Sequence, residues 1–138
     1  KMLDLAFPAG PALEKLAAQA QGKIRPKAVM KDANCCLSGL ENQCRTLLEQ
    51  GEAPALVAHF CQESVGETVL QMAQKAREHY PGLPFIFGGG VMSNGAIRER
   101  LQAHLPDVRF APPALSADNA AGTALLAYLS GQGGETLC

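Results

Sequence analysis

Three consecutive glycines, Gly88-Gly89-Gly90, join a short apolar run to a stretch patterned as a helix. This junction constrains the fold more than any other feature. Leu83-Pro84-Phe85-Ile86-Phe87 combines aromatic and β-branched residues and is expected to be a buried strand. Ser93-Asn94 offers N-caps for a helix over 95–105, with Ile97, Leu101 and Leu105 facing inward and Pro106-Asp107 closing it. Residues 108–111 read as a second short strand ended by Pro112-Pro113. A last helix over about 117–129, small and apolar, is expected to pack tightly against a neighbour, and 131–138 to fray. No side chain at the glycine turn keeps a ligand off the backbone. Such a turn before a helix N-terminus binds nucleotides in many α/β proteins, and it also serves as a plain tight turn. Both readings stand at this level.

Upstream, Phe7-Pro8-Ala9-Gly10-Pro11 is a Pro/Gly turn that starts a helix, with Pro11 suited to the first helical position. That helix runs to about Ala20, with Leu13, Leu16, Ala17 and Ala20 on one face and Gly22 as its stop. Val29-Met30 and Cys35-Cys36-Leu37 form two candidate strands around Asp32-Ala33-Asn34. Ser38-Gly39-Leu40-Glu41 matches a capping box, and the helix behind it carries Leu40, Cys44, Leu47 and Leu48 up to Gly51. Pro54 opens the longest helix, ending near His79, with Val57, Cys61, Val65, Val69, Met72 and Ala76 as its apolar stripe. The class is therefore α/β with much helix for its strands.

At 138 residues the chain has about one domain's worth of length. A net charge of −1 shows no polyanion-binding surface, and the apolar runs are too short to span a bilayer. Five cysteines, an odd number without zinc-type spacing, argue against a disulfide framework, fit a reducing cytoplasm, and are expected to be small core residues. Ser38 has no activating His or Asp at motif spacing and reads as a cap. Glu63 and Glu67 share a helix face expected to be solvated. The three histidines, His59, His79 and His104, read as surface or helix-end residues.

Four segments, taken in order, resemble the glycoprotease (TsaD-like) family of the actin-like ATPase superfamily, which includes the enzyme forming threonylcarbamoyladenosine in tRNA. They are residues 7–16, Leu37-Ser38-Gly39-Leu40, Gly88-Gly89-Gly90-Val91-Met92-Ser93-Asn94 with Arg98 and Leu101, and Ala117-Asp118-Asn119-Ala120-Ala121. The resemblance runs from residue 1 to about 131, with 132–138 left as a flexible tail. It implies the C-terminal part of an actin-like, ribonuclease H-like lobe. Gly10, Gly89, Gly90 and Asn94 match positions that lie near ATP or an acyl-adenylate. Asp118 matches a carboxylate ligand of the catalytic metal, Fe or Zn.

The family's His-x-x-x-His metal pair and its phosphate loop have no counterpart in these residues, and its Phe-Ser-Phe-Ser-Gly-Leu-Lys segment reads Asn34-Cys35-Cys36-Leu37-Ser38-Gly39-Leu40-Glu41. The chain is expected to hold half of a two-lobed site, inactive alone, from a cytoplasmic carbamoyl-type transferase acting on tRNA. The competing expectation is a degenerate paralogue that forms a homo- or heterodimer without catalysing.

Overall fold

The helix opened by Pro54 organises the molecule, a computed structural model that describes residues 2–116 and 120–132. In chain order the elements are α1 (Ala9–Ala17), β1 (Met30–Lys31), β2 (Asn34–Cys35), α2 (Leu40–Glu49), α3 (Pro54–His79), β3 (Phe85–Phe87), a 3-10 turn (Gly90–Ser93), α4 (Gly95–His104), β4 (Val108–Phe110), α5 (Pro113–Ser116) and α6 (Ala120–Gln132). The expected helix-rich α/β class with few short strands is what forms. No helix among the described residues is long and apolar enough to cross a membrane.

α3 starts as the sequence implies, with Pro54 in the first turn, where a missing N–H leaves no acceptor unpaired. Its burial departs from the single stripe. Val57 is buried, but the inside positions are otherwise Ala58, Phe60, Gln62, Ser64, Gly66, Thr68, Leu70 and Ala73. α1, α2, α4 and the β1–β2 hairpin all pack against α3. A helix enclosed on several sides needs small residues where its neighbours come close. A Cβ on Gly66 would sit 3.3 Å from Arg100 Cδ and 3.5 Å from Ile97 Cγ1, so α4 approaches α3 across that glycine. The buried hydroxyls are paired: Thr68 Oγ1 donates to the Ser64 carbonyl at 2.7 Å, and Ser64 Oγ accepts from Lys27 N at 3.2 Å.

Two apolar clusters result. Leu70, Ala73, Met92, Ile97, Leu101 and Leu105 join α3 and α4, with Phe85, Phe87, Val108 and Phe110 against them. Cys44, Val57 and Phe60 join α2 and α3, with Cys61 and Leu48 alongside.

Several local expectations are corrected. α1 begins at Ala9 with Pro8 as N-cap and ends at Ala17. Pro11 is its third residue, still among the first N–H positions that lack a helical acceptor. The strands flanking Asp32-Ala33 are shifted: Met30 pairs with Cys35 and Lys31 with Asn34, antiparallel, around Asp32 at φ 55. Ser38 makes no cap, because α2 starts at Leu40 behind Gly39 in helical geometry. Its hydroxyl instead pairs with Cys36 Sγ at 3.1 Å, and Glu41 pairs with Arg45 at 3.0 Å. Cys36 is exposed, unlike a core cysteine.

β3 and β4 are parallel, Phe85 opposite Val108 and Phe87 opposite Phe110. Among the described residues one face of this pair is covered. Phe85 and Phe87 turn toward α3 and α4, whereas Ile86 is 76% exposed, so the strand is not buried on both faces as expected. Arg98 stacks on Phe110 with 4.7 Å to the ring centre, tying α4 to β4. The expectation of a tightly packed last helix also fails among the described residues. Leu125, Leu126, Tyr128 and Leu129 of α6 are between 48% and 62% exposed. α6 continues through Gln132, and residues 133–138 lie outside the described ones.

Candidate functional site

The first turn of α1, the middle of α3 and the 3-10 turn before α4 meet around a cavity of about 230 Å3. Its lining includes Gly10, Gly90 and Asn94, three of the four positions singled out from sequence, together with Glu14, Cys61, Gln62 and Val65. The lining is mostly apolar, and Glu14 is its one charged side chain. Gly89, the fourth position, is not part of it.

The glycines are there for different reasons. Gly89 has φ 98 and ψ 159, a region essentially closed to L side chains, so the turn out of β3 needs glycine whatever binds nearby. Gly10 and Gly90 have no such constraint. A Cβ added at either would have no protein atom within 4 Å. Neither packing nor backbone geometry requires glycine at 10 or 90.

Asn94 is fixed in a way that only the tertiary structure shows. It is the N-cap of α4, its Oδ1 accepting from Ile97 N at 3.0 Å. Its Nδ2 donates to Oε1 of Gln62, a 6%-exposed residue of α3, at 2.9 Å. Glu14 reaches across from α1, and its Oε1 accepts from Gly95 N at 2.8 Å. The Glu14 carboxylate therefore sits at the positive end of the α4 dipole. Two of the first amides of α4 are already taken by the protein's own side chains. This alters the expectation for the turn. A free helix N-terminus would cradle phosphate, but here the terminus is filled, and its occupant carries a negative charge.

Glu14 and Gln62 were not singled out from sequence. Glu14 had a signal, since it falls one helical turn after Gly10 and shares its face. Gln62 had none: a polar residue inside a long apolar helix reads as part of a solvated face until the neighbouring helices are placed. The same holds for Glu63 and Glu67. Their face is not solvated, because Arg100 of α4 donates to both, at 2.9 Å to Glu67, with all three side chains only about a quarter exposed.

Cys61 lies between this cavity and a second, apolar one of about 170 Å3 that Cys44 also lines. Burial pushes the Cys44 thiol up to about 12, with Cys61 beside it adding to the shift, and burial raises Cys61 as well. Both stay protonated at neutral pH and act as packing groups. Asp118 lies outside the described residues. Among the described residues no three His, Cys, Asp or Glu side chains gather as a metal would need, so the residues in view do not by themselves hold Fe or Zn.

Comparison with known sequences decides the family. The family model described as tRNA N6-adenosine threonylcarbamoyltransferase matches residues 1–125. The chain belongs to this family. Among curated relatives, the tRNA N6-adenosine threonylcarbamoyltransferase of Thermus thermophilus is 32% identical over 137 residues, covering 97% of this chain and 42% of the relative. Those of Streptococcus pneumoniae and Streptococcus gordonii are 32% and 33% identical, each covering 94% of this chain and 41% of their own length. The chain thus spans about two fifths of the threonylcarbamoyltransferases it matches, and it carries their C-terminal portion.

Proposed function

We propose that this chain forms one wall of a nucleotide site in a two-lobed, actin-like and ribonuclease H-like transferase that moves a threonylcarbamoyl-type group onto tRNA adenosine. The observation that carries the reading is the convergence of Gly10, Gly90 and Asn94, from two distant segments, on one cavity where the fold itself has no need of the two glycines. The cavity is smaller than the roughly 300–1,000 Å3 of complete small-molecule sites. With an apolar lining and a filled helix terminus, it suits the nucleoside part of ATP or an acyl-adenylate. Phosphates would be held elsewhere in the intact protein.

In this arrangement α1 and α3 exclude water from one side of the nucleoside, and the 3-10 turn brings backbone close to it. Asn94 offers an amide N–H to it. Asp118 remains a candidate for a single metal ligand, with the other ligands supplied from outside this chain. Catalysis would need both lobes, and the protein would work in the cytoplasm on tRNA. The second reading, a paralogue that binds a partner and does not catalyse, is favoured by the exposed apolar residues of α6.

Titration of the chain with adenosine and ATP, followed by backbone amide NMR shifts, separates these readings. Perturbations centred on residues 10–14 and 89–97, abolished by Gly10→Val and Gly90→Val in folded protein, support the nucleotide wall. No perturbation there, or binding indifferent to both variants, removes it.

A further inference from the structure

The amide pair formed by Gln62 and Asn94 determines what the cavity can accept. Asn94 has to cap α4, and the backbone N–H of Ile97 can only donate. The Asn94 atom facing Ile97 is therefore the oxygen, and the nitrogen points the other way. That nitrogen meets Gln62 Oε1 at 2.9 Å. Gln62 is 6% exposed, so its oxygen would lose its protein hydrogen bond in a largely buried place if Asn94 turned away. Each amide thus fixes the other. Asn94 Oδ1 accepts from Ile97 and one Nδ2 proton goes to Gln62, which leaves the second Nδ2 proton as the donor that Asn94 can offer to the cavity it lines.

We propose that Gln62 is a positioning residue that locks the Asn94 carboxamide so that its free N–H is held as a hydrogen-bond donor to the cavity. The site then favours a ligand atom with a lone pair at that point, such as a ring nitrogen or sugar oxygen of a nucleoside. Without Gln62 the cap bond to Ile97 alone would leave the carboxamide free to tilt, and the donor would no longer be aimed. This rests on the reading of Asn94 as a nucleoside contact.

The test uses the 138-residue chain as wild type, Gln62→Met, Gln62→Glu and Asn94→Asp. Gln62→Met keeps the length and removes the acceptor; Gln62→Glu keeps an acceptor; Asn94→Asp keeps a capping oxygen and removes the donor. Adenosine, which is uncharged, is titrated by NMR, and hydrogen exchange of the Asn94 side-chain amide is read separately.

Expected are one slowly exchanging Asn94 Nδ2 proton in wild type and Gln62→Glu, and loss of that protection in Gln62→Met. The adenosine Kd should rise tenfold or more in Gln62→Met and Asn94→Asp and stay within threefold in Gln62→Glu. Unchanged binding in Gln62→Met, or equal weakening in Gln62→Met and Gln62→Glu, overturns the proposal, the second result showing packing alone. If Gln62→Met does not fold, tight binding by Asn94→Asp overturns it. If wild type shows no adenosine shifts, the nucleotide reading fails instead. The lock is then judged by exchange alone, and equal protection in wild type and Gln62→Met overturns it.

Discussion

The two sides of α3 and α4 are finished to different degrees. Toward α1 the helices carry a finished polar wall: Ala17 and Ile97 are buried, and the polar groups Gln62, Asn94 and Glu14 are paired. Toward β3 and β4 the same helices support a sheet of two short strands, on which Ile86 is in the open among the described residues. The cavity wall is therefore a property of this chain, complete with its hydrogen bonds. The sheet face is not complete among the described residues. A half-site can be rigid and pre-arranged even where the layer next to it is bare.

The contrast can be broken by mutation. Leu101, fully buried between α4 and α3, should lose about 2–5 kcal/mol of stability on Leu101→Ala in urea unfolding. Ile86→Ser on the bare face should change stability by no more than about 0.5 kcal/mol. Similar losses at both would show that the sheet face is covered in solution.

Within the turn, Gly89→Ala should cost about 1–3 kcal/mol, because the φ 98, ψ 159 backbone strains any side chain. Gly10→Ala should behave in the opposite way. It lies in a helix with open space before it, so thermal unfolding should show unchanged or slightly raised stability, by up to about 1 kcal/mol. Nucleoside binding should nevertheless weaken severalfold. A loss of stability at Gly10 would mean that the fold, and not a ligand, requires that glycine.

The smallest effects concern the thiols. Unfolded chain ionises Cys44 near 9.0 and the folded chain only at about 12, so the contribution of Cys44 to stability should be level below pH 9 and decline as pH rises toward 12. Cys44→Ala should flatten that decline. Cys36 lies on the surface with its pKa lowered by the Ser38 hydroxyl, so among the described cysteines a disulfide reagent at neutral pH should label Cys36 first and Cys44 last. Early labelling of Cys44 would show that the α2–α3 packing opens readily.

Much was legible before any coordinates. The 26-residue helix from Pro54, the strand–glycine–helix junction, the Asn94 cap and the inward Ile97, Leu101 and Leu105 all follow from local chemistry: a proline where no N–H is needed, a carboxamide beside free amides, apolar residues one turn apart. The family segments named Gly10, Gly90 and Asn94 together. Errors fell where a signal was local and its competitor was not. Ser38 spelled a capping box, but the chain entered α2 at Gly39 and the hydroxyl went to Cys36. α3 displayed one stripe, but three helices and the β1–β2 hairpin close on it, and its inside is Gln62, Ser64, Gly66 and Thr68 as much as Val57 and Leu70.

By itself, then, the sequence determined the order and kind of the main elements, though not of α5 or the 3-10 turn, and which segments belong to one family, since helix starts, turns and periodicities depend on neighbours along the chain. The tertiary structure alone decided that Gly89 serves the backbone while Gly10 and Gly90 leave room. It also decided that Glu14 fills the end of α4 and that Gln62 sets the orientation of Asn94. Those facts depend on atoms brought together from α1, α3 and α4, and no pattern within a single segment records which of its polar groups another segment will meet.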